Sequence, residues 1–176
     1  MNTTMRTIAQ KGSVLIVSML ILLVLTLIGV TAMGTSALEE KMAGNSRDQD
    51  LAFQAAEAAL KDAETFLDGI VATGGFTDIN GLYDNAAPNP DIFSAATWST
   101  TNSRAYSATL PNIATQPRYI IELRPTVGGN NSIEINSCYG CSTSAPPVTM
   151  FRITARGTGG TNNAVVILQS FYGKHL

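Results

Sequence analysis

From Ser13 to Leu38 the chain carries no charged residue. Within Ser13–Met33, 16 of 21 residues are apolar. A helix needs about 20 such residues to cross the ~30 Å hydrocarbon layer of a bilayer. The chain meets that requirement once, so it is expected to cross or anchor once. This segment also explains the composition. Apolar residues make up 45% of the chain and charged residues only 14%, where globular domains run nearer a quarter charged, at about 25%. The charges are missing because one segment excludes them.

The flanks set an expected orientation. Arg6 and Lys11 precede the segment with no acid before it, and Glu39 and Glu40 follow it. Positive charge stays on the cytoplasmic side, so residues beyond Leu38 are expected outside the cytoplasm. Three readings of this N-terminus compete. A secretory signal has a shorter apolar core and a small-x-small cleavage site; only Thr31–Ala37 offers a weak one. A permanent single-span anchor is the plain alternative. The third reading turns on Gly12, which sits between Lys11 and the apolar run. A peptidase cutting after it would remove a short basic leader and leave the apolar segment on the mature protein.

The formal net charge is −2, so no basic footprint for nucleic acid is present. There is no G-x-S-x-G, H-E-x-x-H, P-loop or dinucleotide fingerprint. No catalytic residue, cofactor or metal is therefore expected. The run Gly157-Thr158-Gly159-Gly160 lacks the lysine and helix of a phosphate cradle. Asp78, Asn80, Asp84 and Asn85 do not have calcium-loop spacing. Cys138 and Cys141 form C-Y-G-C. A local disulfide suits an oxidising compartment. Redox catalysis, with no helix N-terminus to lower a thiol pKa, and zinc, with His175 the lone histidine, are the alternatives.

No proline occurs before Pro88, and helix formers dominate from Ser13 to about Leu67. One continuous helix of that length would extend ~80 Å at 1.5 Å per residue. Beyond the apolar run, Leu38, Met42, Ala52, Ala56, Ala59, Leu60, Ala63 and Leu67 fall mostly at helical spacing on one face. Glu57 and Lys61 stand at i, i+4. The stripe is rich in alanine (Ala52, Ala55, Ala56, Ala58, Ala59, Ala63). That allows close packing against a sheet or a neighbouring subunit, and it also simply favours helix. Gly29 and Gly34 interrupt the apolar run, either as flexible points or as glycines tolerated in a membrane helix.

Residues 69–117 are punctuated by glycine and proline and read as a long surface loop region. Trp98 is expected to anchor that loop on the domain or to meet a partner. Three strands are expected at Arg118–Arg124, Val148–Arg156 and Ala164–Tyr172, the last two joined by the turn-rich Gly157–Asn163. The expected fold is α+β: a long N-terminal helix packed on a small antiparallel sheet of three or four strands. The expected organisation is a leader at 1–12, a stem at 13–36, an amphipathic helix at 37–68, the loop region at 69–117 and the sheet at 118–176.

The stretch from Gln10-Lys11-Gly12-Ser13 through the apolar run resembles the class III leader of type IV pilins and type II secretion pseudopilins. Leu38-Glu39-Glu40-Lys41-Met42-Ala43-Gly44-Asn45 and Leu51-Ala52-Phe53-Gln54-Ala55-Ala56-Glu57-Ala58-Ala59-Leu60 resemble the PilX family of type IV pilus assembly proteins. Phe151–Gly160 and Ala164–Ser170 are similar to that family's closing hairpin. The resemblance covers roughly 8–67 and 118–172 and leaves 69–117 unmatched. It implies cleavage between Gly12 and Ser13 by prepilin peptidase and residence in the bacterial inner membrane with the domain periplasmic. The partners it implies are other minor pilins and the major pilin through stem helices, and the inner-membrane assembly machinery. Two positions depart from typical pilins: the fifth residue from Ser13 is Val17 instead of glutamate, and Ser13 replaces phenylalanine. A type II secretion pseudopilin and an anchored periplasmic binding protein are the rival functions.

Overall fold

A computed structural model describes residues 12–86, 88–128 and 147–176. The chain divides after Gly44 into two units. One helix, α1 (Ser13–Gly69), contributes to both. Its run to Gly69 matches the expectation and follows from the absence of proline and the density of Ala, Leu and Glu. Up to Gly44 its large apolar side chains all face solvent. Leu38 and Met42 are among them, so the one-sided stripe read from the sequence is buried only from Ala52 onward.

The second unit, Asn45–Leu176, holds the core. The strands are β1 (Leu82–Tyr83), β2 (Arg104–Ala105), β3 (Arg118–Val127), β4 (Val148–Thr158) and β5 (Val165–Lys174). β3, β4 and β5 form an antiparallel meander. β1 and β2 both pair with β3, and β1 does so in parallel. Among the described residues the sheet is thus mixed and five-stranded, where an antiparallel sheet of three or four strands was expected. The extra strands come from the loop region, each only two residues long, too short to leave a period in the sequence.

Helix and sheet bury each other as the alternation predicts. Ala52, Ala55, Ala56, Ala59, Ala63 and Leu67 are buried on α1. They face Tyr119, Ile121, Phe151, Ile153 and Ala155, which alternate along β3 and β4. Ala58 is only half-buried. Alanine is required here by distance. A Cβ on Gly157 would run into the backbone of Ala52, Ala55 and Ala56, and one on Gly159 would strike Asp48. The two backbones touch where the side chains on both sides are smallest.

Hydrogen bonds fasten both ends of this contact. Asp48 accepts from the backbone N–H of Thr161 at 3.1 Å and from its hydroxyl. The Thr161 hydroxyl chiefly holds the Asp48 carboxyl below its usual pKa. At the other end, Lys174 Nζ donates to the carbonyls of Leu67, Asp68 and Ile70 at 2.9, 2.7 and 2.7 Å. The last turn of α1 has no basic residue of its own, so its orphan carbonyls are closed by a cation from the last strand. Tyr172 donates its hydroxyl to Asp68 nearby. Lys61 pairs with Glu64 at 3.0 Å and not with Glu57.

The 70–117 region packs on the protein instead of lying loose. Phe76 and Leu82 enter the helix-side core, with the Phe76 ring 5.5 Å from that of Phe151. Across the sheet, Ile120, Glu122, Thr154 and Thr158 are buried as well. Thr158 accepts from the Thr115 N–H at 3.1 Å and donates back to its carbonyl at 2.7 Å. Arg118 donates to Ser103 Oγ at 2.6 Å and to the Ser103 carbonyl at 2.5 Å. Glu122 Oε2 accepts from Arg124 at 2.8 Å and from Arg152.

Three outcomes test this packing. Gly157→Ala forces a methyl into the helix backbone and is expected to destabilise by about 3 kcal/mol, the upper end of the usual overpacking range, read as a lowered thermal midpoint of the detergent-solubilised chain. Glu122→Gln removes a carboxylate shared by two guanidinium groups and is expected to cost about 3 kcal/mol by the same assay. The Asp48 pKa lies below the usual carboxylate value of 3.8 in the fold. Its contribution is therefore present above pH 3.8 and lost as pH falls through the lowered value. Asp48→Asn should flatten the acid limb of the stability profile below pH 3.8 and leave the neutral-to-alkaline limb unchanged in shape.

Candidate functional site

The residues singled out in the sequence lie mostly on the first unit. Gly12 is exposed, with φ at +46°, in the left-handed region that favours glycine. The helix starts at the next residue, Ser13. The Gly12–Ser13 bond therefore sits at an exposed boundary between non-helical and helical backbone. Val17 lies one turn into the helix and is 55% exposed. A Cβ on Gly29 or Gly34 would meet nothing, so neither glycine serves a close contact within this chain, and both remain helical.

This helix segment is long and apolar enough to cross a membrane, and none of its apolar window is buried in the protein. Its polar side chains are turned inward on the helix itself. Ser18 donates to the Leu15 carbonyl at 2.9 Å, Thr26 to Leu23 at 2.8 Å, and Thr31 to Ile28 at 2.9 Å. Thr35 and Ser36 bond back to Thr31 and Ala32. Such back-bonding satisfies a hydroxyl without water, as a lipid or protein environment demands. The segment offers an unbroken apolar cylinder with no reactive group on it. What it can do chemically is insert and pack.

On the second unit, Trp98 is buried, and its indole N–H donates to the Ile92 carbonyl at 2.8 Å. Arg156 lies 6.0 Å from its ring centroid. Trp98 thus anchors its loop, the first of the two expected roles. Asp91 accepts from the Phe93 N–H at 3.0 Å, and its carbonyl accepts from Thr97 at 2.6 Å. The turn so built leaves Phe93 86% exposed. Asp78 Oδ1 accepts from the Asp84 N–H at 2.8 Å, so these acids shape a turn. Burial lowers the Arg118 pKa and raises that of Tyr119; both groups are held in structural bonds. His175 is exposed. Cys138 and Cys141 lie outside the described residues.

Sequence reasoning missed that 70–117 forms a layer of the fold, because its strands and its 3-10 turn at Ala95–Trp98 are too short for periodicity. Along β5 the sequence sets Val165, Ile167 and Phe171 on one face and Val166 and Leu168 on the other. Val165 and Phe171 remain exposed on the face away from α1.

Two family models match. The PilX N-terminal model covers residues 11–61. The model described as type IV pilus assembly protein PilX C-term covers residues 73–174. The second includes most of the 69–117 region, for which the sequence alone carried no resemblance. No curated protein and no solved structure matches the chain significantly. An exposed apolar helix that continues into a helix-on-sheet domain, matched at both ends by models of one family, leads to a single conclusion: the chain belongs to the PilX family of type IV pilus assembly proteins, a family of minor pilins.

Proposed function

We propose that this minor pilin is incorporated at or near the tip of a type IV pilus and helps to initiate its assembly. The observation that carries the reading is Val17. Typical pilins hold a glutamate at this fifth position, counted from Ser13, and pair it with the N-terminal amine of a neighbour. A lone carboxylate in a bilayer costs several kcal/mol, roughly 3 or more. A subunit with no neighbour above it gains nothing from one. Valine at this position suits a subunit that starts the stack.

The rest of the reading follows from charge and exposure. Arg6 and Lys11 keep the leader cytoplasmic, which leaves the Asn45–Leu176 unit periplasmic and the stem in the inner membrane. Prepilin peptidase cuts between Gly12 and Ser13. The exposed apolar stem then leaves lipid for contact with the stems of other minor pilins and the major pilin. The work is binding and not catalysis, in keeping with a structural family. Cys138 and Cys141 close a local disulfide in the oxidising compartment.

Intact mass of the membrane-extracted chain tests this. Wild type should begin at Ser13. Gly12→Val, and wild type in cells lacking the peptidase, should keep the leader. A full-length mass in every case sinks the reading in favour of a permanent anchor. Tip placement is read separately, by whether deletion lowers the number of pili without altering their length.

A further inference from the structure

Between its apolar length and its sheet-facing length, α1 has a stretch that no other part of the fold holds. The apolar run ends at Leu38. The domain takes hold at Asp48, through Thr161, and the first helix residue it buries is Ala52. Residues 39–47 are all exposed. Among the described residues none of their side chains makes a hydrogen bond or an ion pair. The division of the chain after Gly44 falls inside this stretch.

Its sequence is not that of a helix interior. Gly44-Asn45-Ser46 sets the poorest helix former after proline beside two middling ones. Gly44 serves no close contact, since a Cβ there would meet nothing. In chain order these residues are the signs of one helix ending and another starting. Glycine is the usual residue just past a helix end. Ser46-Arg47-Asp48-Gln49 has the spacing of a capping box, in which an N-cap serine bonds the N–H three residues on and a glutamine there bonds back. Asp48 puts a negative charge in what would be the first turn. The unbroken helix uses none of the caps. From Ser18 to Thr65 every other hydroxyl on α1 bonds a carbonyl three or four residues back. The Ser46 hydroxyl makes no such bond, and the Gln49 side chain is equally idle among the described residues.

We infer that residues 44–49 are a latent break in α1, at which the one helix divides into two, each with its own cap. Opening frees the N–H groups of Arg47, Asp48 and Gln49 from the carbonyls of Ala43, Gly44 and Asn45. The box restores a bond at Gln49, and water reaches the rest of this exposed stretch. Gly44 supplies the turn, because glycine enters the left-handed region without steric cost. The flanking lengths keep their helix, the part beyond Asp48 by its packing on the sheet. A plain helix with three indifferent residues has no use for serine at 46 or glutamine at 49. The break itself needs nothing from the function proposed above, but the use made of it rests on that reading. A pilin whose stem passes from lipid into a stack of stems keeps its domain free to turn where the connection bends.

The test is a distance distribution, by pulsed electron spin resonance, between bioorthogonal spin labels at the exposed positions Glu40 and Glu57 of the full-length chain in lipid nanodiscs. A straight helix holds these backbone positions about 26 Å apart, at 1.5 Å per residue. Wild type should show that distance and a second, shorter population. Ser46→Val should reduce the shorter population roughly fivefold, because valine equals serine in a helix interior but does not cap. Ser46→Asn, as good a cap, should keep it. A single straight-helix distance in wild type overturns the inference. So does a shorter population that Ser46→Val leaves unchanged, since α1 then bends without its caps. No pilus enters this measurement, so its failure leaves the proposed function standing. A chain that keeps its leader in the mass test leaves the break standing.

Discussion

Backbone meets backbone where α1 crosses β4. Gly157 on the strand against Ala52, Ala55 and Ala56, and Gly159 just past it against Asp48, leave no room for larger groups. The remaining contacts of the second unit follow from that approach. It brings Ile153 and Phe151 of β4, and Tyr119 and Ile121 of β3, onto the alanine face. It brings Asp48 to Thr161 and lets Lys174 reach the end of the helix. Small residues contribute little burial themselves. Their role is to let larger neighbours bury theirs, at roughly 25 cal/mol per Å² of apolar surface.

The two parts of α1 solve opposite problems with one secondary structure. Before Gly44 the helix keeps its apolar side chains outward and bonds its hydroxyls to its own carbonyls. From Ala52 it turns small apolar residues inward and charges outward. A helix satisfies its backbone groups internally, so the same element serves in lipid and against a sheet. One helix thus carries an exposed apolar length and a face fitted to a sheet without a break between them.

Much of this was legible in the sequence, for stated reasons. The apolar run and the alanine spacing carry strong periods, and both the extent of α1 and its buried face followed from them. The three long strands were found because Tyr119, Ile121, Phe151, Ile153 and Ala155 alternate. The stripe was extended too far, to Leu38 and Met42, because periodicity marks an apolar face and not what covers it. The second layer over the sheet was missed. Its pieces are two-residue strands, a 3-10 turn and single anchors such as Trp98, several of them tied to the sheet by contacts 15 or more residues apart, as Arg118 is to Ser103. Such contacts leave no local pattern. The lysine that closes the helix was equally hidden, lying 107 residues from the first carbonyl it serves.

That last separation bears on how the protein is made. The ribosome delivers the alanine face of α1 well before the strand that completes its cover. Until Lys174 emerges, Asp68 and Ile70 lack the donor that closes their carbonyls and the core lacks its closing edge. Folding of this unit therefore waits on β5, however early α1 has formed. A unit that lacks Lys174 keeps its meander but leaves the end of α1 unsealed.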